Sequence, residues 1–327
     1  MKILIIGPAW VGDMVMAQVL FKFLKLRHPE AEIDVIAPDW TRPLLERMPE
    51  INNILSLPFK HGEFAFAKRW KLGKTLKNNN YDESIVLPNS WKSAIIPYAA
   101  GIKKRTGFRG EFRYGLLNNV KILDKKSLPL MIQRFSYLAL DKSEKLSDKL
   151  PKPRLLEKKT QPKTLLKKVV ALCPGAEFGP SKRWPEEYYA DIANKLLAHD
   201  YDVWLFGSQK DTVVTDKINE LTNNRCDNLA GKTSLSEAID LLSLSSLVIT
   251  NDSGLMHIAA ALDKPLIALY GSTDPGFTPP LSTKAKILSI DLYCRPCFQR
   301  ECPLKHHRCM KDLLPQHVWE TIHACEF

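Results

Sequence analysis

Short apolar runs alternate with amphipathic stretches along most of this 327-residue chain. Lys2–Ile6 reads as a buried strand, and residues 14–26 carry apolar positions at helical spacing. A second strand follows at Glu32–Ala37, a helix at residues 42–47, and short strands at 54–57 and 84–87. Strand alternating with helix predicts a parallel sheet covered on both faces. Between residues 141 and 168 the composition shifts to Lys, Pro, Ser and Asp, as expected of an interdomain linker. The pattern then restarts. Strands are predicted at 168–173, 202–207, 247–250 and Leu266–Tyr270, and helices at Glu186–Ala198, 234–244, 254–262 and 313–327. The organisation that follows is α/β, with two consecutive Rossmann-like domains at 1–160 and 161–327 facing a central cleft.

Ligands in such sheets bind beyond the carboxyl ends of the strands, so polar, glycine-containing segments at those ends are the first place to look for chemistry. The most informative is Asn251-Asp252-Ser253-Gly254-Leu255-Met256-His257, where an apolar run ends in a small polar turn and an alanine-rich helix opens at once. Unpaired N–H groups and the positive end of a helix dipole then lie at a strand end, which suits a phosphate. Asp252 and Ser253 fit an N-cap, Gly254 lets the backbone approach a ligand, and His257 follows three residues later. An ordinary capped helix is the other reading.

The second segment is Cys173-Pro174-Gly175-Ala176-Glu177-Phe178-Gly179-Pro180-Ser181-Lys182-Arg183-Trp184-Pro185, a strand end running into a Gly/Pro loop with Lys182-Arg183 just before a helix. Backbone N–H groups plus a fixed ammonium are what a diphosphate needs; a solvated basic turn is the alternative. The third, Gly7-Pro8-Ala9-Trp10-Val11-Gly12-Asp13, is neither a dinucleotide fingerprint nor a nucleotide P-loop. Asp13 in it suits either a helix N-cap or a general base.

Composition narrows the partner. The chain carries 47 Lys+Arg against 36 Asp+Glu, a net charge of +11, which suits a polyanionic partner: nucleic acid, a phosphorylated sugar or an anionic membrane surface. Arg105, Arg109 and Arg113, interleaved with aromatics, are candidates for gripping acceptor phosphates or carboxylates, or form an exposed basic loop. No recognised nucleic-acid-binding module accompanies them, so nucleic acid is not expected. No secretory signal and no bilayer-length apolar run are present, and a cytoplasmic protein is expected. The seven cysteines are expected to be reduced. Cys294, Cys297, Cys302 and Cys309, with His306 and His307, suggest zinc at first sight, but their irregular spacing also fits a packed Cys-rich loop.

Taken together, Gly12-Asp13, the 174–185 segment and Asn251–His257 resemble the ADP-heptose:lipopolysaccharide heptosyltransferases of glycosyltransferase family 9, and the long middle motif and cysteine-bearing tail resemble the heptosyltransferase II branch. The resemblance spans essentially the whole chain. It implies a GT-B fold with acceptor in the first domain, donor in the second and a terminal helix that crosses back. It also implies an inverting, metal-independent and cofactor-free transfer of L-glycero-D-manno-heptose from ADP-L-glycero-β-D-manno-heptose to the first heptose of the inner core, on Kdo2-lipid A bearing one heptose. By similarity Asp13 is the base. Gly175, Ala176, Lys182, Asp252, Ser253, Gly254 and Leu255 hold the donor, with His257 beside it. The enzyme would work at the cytoplasmic face of the inner membrane, attached peripherally. The Gly231-Lys232-Thr233 turn is a candidate for holding the adenine. A nucleotide-sugar 2-epimerase and a non-catalytic nucleotide- or nucleic-acid-binding protein remain as rivals.

Overall fold

The computed structural model describes residues 1–59, 62–141, 143–157 and 166–325. Two compact units, Met1–Pro153 and Arg154–Phe327, divide the chain. The boundary expected at 160/161 lies outside the described residues. Ahead of it, the Leu155 N–H already donates to Ala261 O, so this segment belongs with the second unit.

In the first unit the chain runs through β1 (Lys2–Ile6), α1 (Val11–Arg27), β2 (Glu32–Ala37), α2 (Arg42–Leu45), β3 (Asn53–Ser56), α3 (Phe66–Thr75), β4 (Glu83–Val86), α4 (Ile95–Ala99), β5 (Lys104–Phe108), β6 (Asn119–Lys121) and α5 (Met131–Tyr137). The strands form one sheet in the order β3-β2-β1-β4-β5-β6, parallel at every pairing. Ile3, Leu4, Ile5 and Ile6 are all essentially unexposed, as expected of a strand covered on both faces, and this is why β1 is a continuous apolar run.

The second unit repeats the plan with β7 (Val169–Cys173), α6 (Glu186–Ala198), β8 (Asp202–Leu205), α7 (Thr212–Leu221), β9 (Asp227–Asn228), α8 (Leu235–Leu244), β10 (Leu247–Asn251), α9 (Gly254–Ala261), β11 (Leu266–Tyr270), β12 (Ala285–Ser289), α10 (Arg308–Lys311) and α11 (Pro315–Ala324). Its sheet order, β12-β11-β10-β7-β8-β9, is again parallel at every pairing. The tail helix α11 packs on its own unit, with Val318 and Ile322 in the same core as Trp184 and Leu196; the expected helix end at 326–327 lies outside the described residues.

Both sheets reverse direction of growth once, between β1 and β4 in the first and between β7 and β10 in the second. At such a switch point the loops leaving the two strands part to opposite faces and open a crevice. The stretch holding Arg105, Arg109 and Arg113, for which an exposed basic loop was one alternative, opens with strand β5, paired along β4 from Glu83↔Lys104 to Val86↔Gly107. Lys104 and Arg105 sit at the strand's half-buried start, which hid its apolar continuation. No helix among the described residues is long and apolar enough to cross a membrane.

Candidate active site

In the second unit the register places Cys173 beside Thr250, so the loops after β7 and β10 begin side by side at the switch point. Asn251 locks them together. Its amide donates to Pro174 O at 2.6 Å, and its Oδ1 accepts from Tyr189 Oη at 3.1 Å and the Trp184 N–H at 3.3 Å. Asn251 is wholly buried, and these bonds satisfy it within the protein.

The next residue has a separate set of partners. Asp252 receives Lys182 Nζ at 2.5 Å and Thr273 Oγ1 at 2.6 Å on the same carboxylate oxygen. Lys182 ends a 3-10 turn, Pro180–Lys182, fastened by Ser181 N to Arg300 O and by a hydrogen bond between Ser181 Oγ and Ser272 Oγ. Its ammonium also lies 4.9 Å from the centre of the Phe178 ring. An ammonium has three N–H bonds, so Lys182 can hold Asp252 and still donate to an anion. Its neighbour Arg183 reaches back to Asp211 at 3.9 Å.

Ser253 is the N-cap residue of α9 by backbone position, yet no side chain caps the helix; its Oγ is instead 3.3 Å from Thr250 Oγ1. The first-turn N–H groups of α9, at Gly254 and Leu255, therefore have no side-chain cap and point toward where an anion would sit. His257 is buried beneath this turn. Burial lowers its pKa to about 4, the nearby Asp252 opposing that shift and Lys182 adding to it, so the ring is neutral around pH 7. Only 5% of it is exposed, so the ring is a buried neighbour of the Lys182–Asp252 pair.

Two residues assigned to the donor loop are closely packed within the protein. A side chain on Gly175 would place its Cβ 2.6 Å from the Asp211 carboxyl group, so the glycine makes room for that carboxylate. Ala176 is buried. The Gly231-Lys232-Thr233 turn lies just beyond β9 and is tied to the end of β8 by Gly231 N to Gly207 O at 3.1 Å.

The first unit carries a cavity of about 500 Å³ at its own switch point. The segments after β1 (Gly7–Trp10) and β4 (Leu87–Lys92) line it, with Trp40, Phe59, Arg69 and, from α5, Met131, Arg134 and Phe135. Asp13 lines it as well. It is not the N-cap of α1, a position held by Trp10, but the third residue of the first turn, where the helix dipole favours a carboxylate.

The three arginines expected at the acceptor are not together in this cavity. Arg113 is buried and spends its guanidinium on Pro88 O, Phe108 O and Asn89 Oδ1; burial lowers its pKa to about 10, with Glu111 opposing. It shapes the cavity by holding the 88–90 wall. Arg105 is tied to the carbonyls of Ile102, Gly115 and Leu116. Arg109 is exposed, just past β5. Among the described residues, the cations that line the cavity are Arg69, Lys92 and Arg134. Arg69 and Lys92 both donate to Glu63 O, and Arg69 lies 4.3 Å from the Phe59 ring centre.

Residues 69–308 match the model of glycosyltransferase family 9 (heptosyltransferase). The chain belongs to this family. It is 46% identical over 341 residues to lipopolysaccharide heptosyltransferase 2 of Salmonella typhimurium, covering 99% of this chain and 98% of that one. Identity to lipooligosaccharide heptosyltransferase 2 of Haemophilus influenzae is 48% across 89% of each chain. The solved structure of E. coli ADP-heptose lps heptosyltransferase II matches with a TM-score of 0.88 at 43% identity, covering 99% of this chain and 98% of that one. The two doubly wound sheets are thus the pair of Rossmann-like units of a GT-B glycosyltransferase.

In this family 9 enzyme all seven cysteines are free thiols. Cys302 Sγ lies 4.0 Å from His306 Nδ1. Burial pushes the Cys302 thiol up, but hydrogen bonds from the backbone of residues 304–307 outweigh it and the net direction is down. Among the described residues no group of three or more His, Cys, Asp or Glu side chains is arranged to hold a metal ion.

Sequence reasoning missed Arg69, Lys92, Arg134 and Thr273. Arg69 was hidden in a helical segment with no strand-end signal, whereas Lys92 stands five residues past the strand read at 84–87 and could have been found there. Thr273 had a usable one, because Gly271-Ser272-Thr273 directly follows β11 at the carboxyl edge of the sheet.

Proposed function

We propose that this chain is a heptosyltransferase II: it moves L-glycero-D-manno-heptose from ADP-L-glycero-β-D-manno-heptose to the first heptose of the lipopolysaccharide inner core, with inversion and without a metal. The observation that carries this reading is the uncapped start of α9 beside the Lys182–Asp252 pair, an anion site at the switch point of the second unit. The N–H groups of Gly254 and Leu255 and the Lys182 ammonium are the groups that would receive the donor's diphosphate.

In the transfer, the acceptor hydroxyl oxygen attacks the anomeric carbon and the bond from that carbon to the β-phosphate oxygen breaks. ADP leaves with the electron pair, and Asp13 takes the hydroxyl proton. An inverting displacement needs one base opposite the leaving group, and Asp13 is a carboxylate lining the cavity of the first unit. Charge gathers on the departing ADP, where a fixed ammonium and a helix N-terminus stabilise it without rearranging. Arg69, Lys92 and Arg134 give that cavity the positive lining that a phosphorylated, Kdo-bearing acceptor calls for. A lipid-borne acceptor makes this a reaction at a bilayer surface, and the net charge of +11 suits an anionic leaflet on the cytoplasmic side.

Calorimetric titration with ADP-heptose, ADP and UDP tests the donor assignment. Binding of ADP-heptose and ADP, with UDP much weaker, is expected. A preference for UDP would overturn it.

A further inference from the structure

Five aromatic side chains of the first unit touch in series on the surface. Phe64 lies against Phe66 and Trp91, with ring centres 6.3 and 5.9 Å apart. Phe66 lies 5.8 Å from Trp70, and Trp70 lies 5.9 Å from Tyr98. Phe64, Phe66 and Tyr98 remain 54%, 44% and 42% exposed. Scattered exposed apolar residues need no explanation, but a contiguous ladder of rings does.

The reason it is outside is legible in α3. This helix turns Arg69 and Gly73 inward, and a Cβ on Gly73 would lie 2.5 Å from Ile96 O, so α3 is pressed against α4 on that side. Phe66, Trp70 and Lys74, four residues apart, form a stripe beside the buried face. Lys68, Lys71, Lys74 and Lys77 are exposed along the same stretch of chain, with Lys74 Nζ 5.7 Å from the Trp70 ring centre. No acidic residue occurs from Phe64 to Tyr81; Glu63, just before, is paired with Lys68.

We infer that this aromatic and basic face is where the enzyme docks on an anionic phospholipid bilayer. Aromatic rings favour the boundary between acyl chains and headgroups, and flanking lysines favour anionic headgroups. Its place in the unit favours a membrane over other partners. Trp91 stands between Ser90 and Lys92, both cavity-lining, and Arg69 of the cavity donates to Phe64 O. The patch thus adjoins the cavity assigned to a lipid-anchored acceptor, an assignment on which the functional meaning of the docking rests.

Vesicle co-sedimentation tests it. The full-length protein should bind vesicles of phosphatidylethanolamine and phosphatidylglycerol, and vesicles of phosphatidylcholine far less. The pairs Phe66→Ser with Trp70→Ser, and Lys71→Glu with Lys74→Glu, should each weaken binding at least about tenfold without lowering the melting temperature. Both should keep wild-type transfer to an acceptor stripped of its acyl chains and slow transfer to the acylated acceptor in vesicles. Three outcomes would overturn the docking surface: variants that bind vesicles like wild type, a wild type that prefers a single-stranded oligonucleotide, or variants that instead split a dimer. Failure of transfer to the stripped acceptor by folded wild type would refute the functional reading alone, because vesicle binding is read without turnover.

Discussion

Lys182 and Asp252 meet at 2.5 Å with side chains only 13% and 4% exposed, so the cation we propose for the donor is already engaged by a buried carboxylate. Removing Lys182 alone leaves that carboxylate with Thr273 as its remaining named donor, an uncompensated charge costing on the order of 3 kcal/mol. Lys182→Ala should therefore lower the melting temperature and weaken ADP binding at least about tenfold. Adding Asp252→Asn should recover the melting temperature but not the affinity. Unaltered ADP affinity in Lys182→Ala, measured by calorimetry, would remove Lys182 from the donor site.

Asp13→Asn keeps the shape of the side chain and removes its ability to take a proton. Turnover should drop by about 10²-fold or more, the usual scale for a lost general base, while ADP-heptose binding stays at the wild-type level. Single-turnover kinetics beside calorimetry separate the two quantities. Wild-type turnover in this variant would require another base.

His257 gives the fold a pH dependence of definite sign. Its folded pKa of about 4 lies below the ordinary value of 6.5, so between those limits the unfolded chain binds a proton that the folded chain does not. Stability then falls as pH falls through that window and is unaffected above it. From pH 7.5 to 5 the wild type should lose roughly 2 kcal/mol more than His257→Asn in urea unfolding. Parallel losses in the two proteins would contradict a buried, neutral ring.

Gly175→Ala separates packing from ligand contact. The new Cβ would collide with the Asp211 carboxyl group, which itself holds Ser208 N and Oγ at 2.9 and 2.7 Å. A loss of about 1–3 kcal/mol is expected in the ligand-free protein. An unchanged melting temperature with weaker donor binding would return this glycine to the ligand.

If Lys182 and the start of α9 supply the positive charge, as we propose, transfer should persist in excess EDTA. Activity lost to EDTA and restored by a divalent cation would contradict the metal-free account.

The strands that lead to the donor turn were legible because their residues are buried on both faces: Leu247–Asn251 and Leu266–Tyr270 admit little but apolar side chains. The elements that escaped lie where this pairing of apolar with buried breaks down. Helix α3 presents Phe66 outward and buries Arg69 and Gly73, the reverse of an amphipathic core helix. Strand β5 opens on Lys104 and Arg105. The motif proposed for the donor was visible as a string, but its internal bonding was not. Asn251 looks like a ligand residue by type but has its amide satisfied inside the protein, and Gly175 also makes room for a carboxylate, features that only their partners, Pro174, Tyr189 and Asp211, reveal. Likewise Arg113 has the chemistry of an anion clamp and is spent on backbone carbonyls.

The most direct measurement is the reaction itself: purified protein, ADP-L-glycero-β-D-manno-heptose and three acceptors carrying no heptose, one heptose or two, with products followed by mass spectrometry and the new linkage by NMR. One heptose should be added to the one-heptose acceptor alone, in α configuration as inversion of a β donor requires. Transfer to the heptose-free acceptor, a β linkage, or epimerised nucleotide sugar with no transfer would contradict the account.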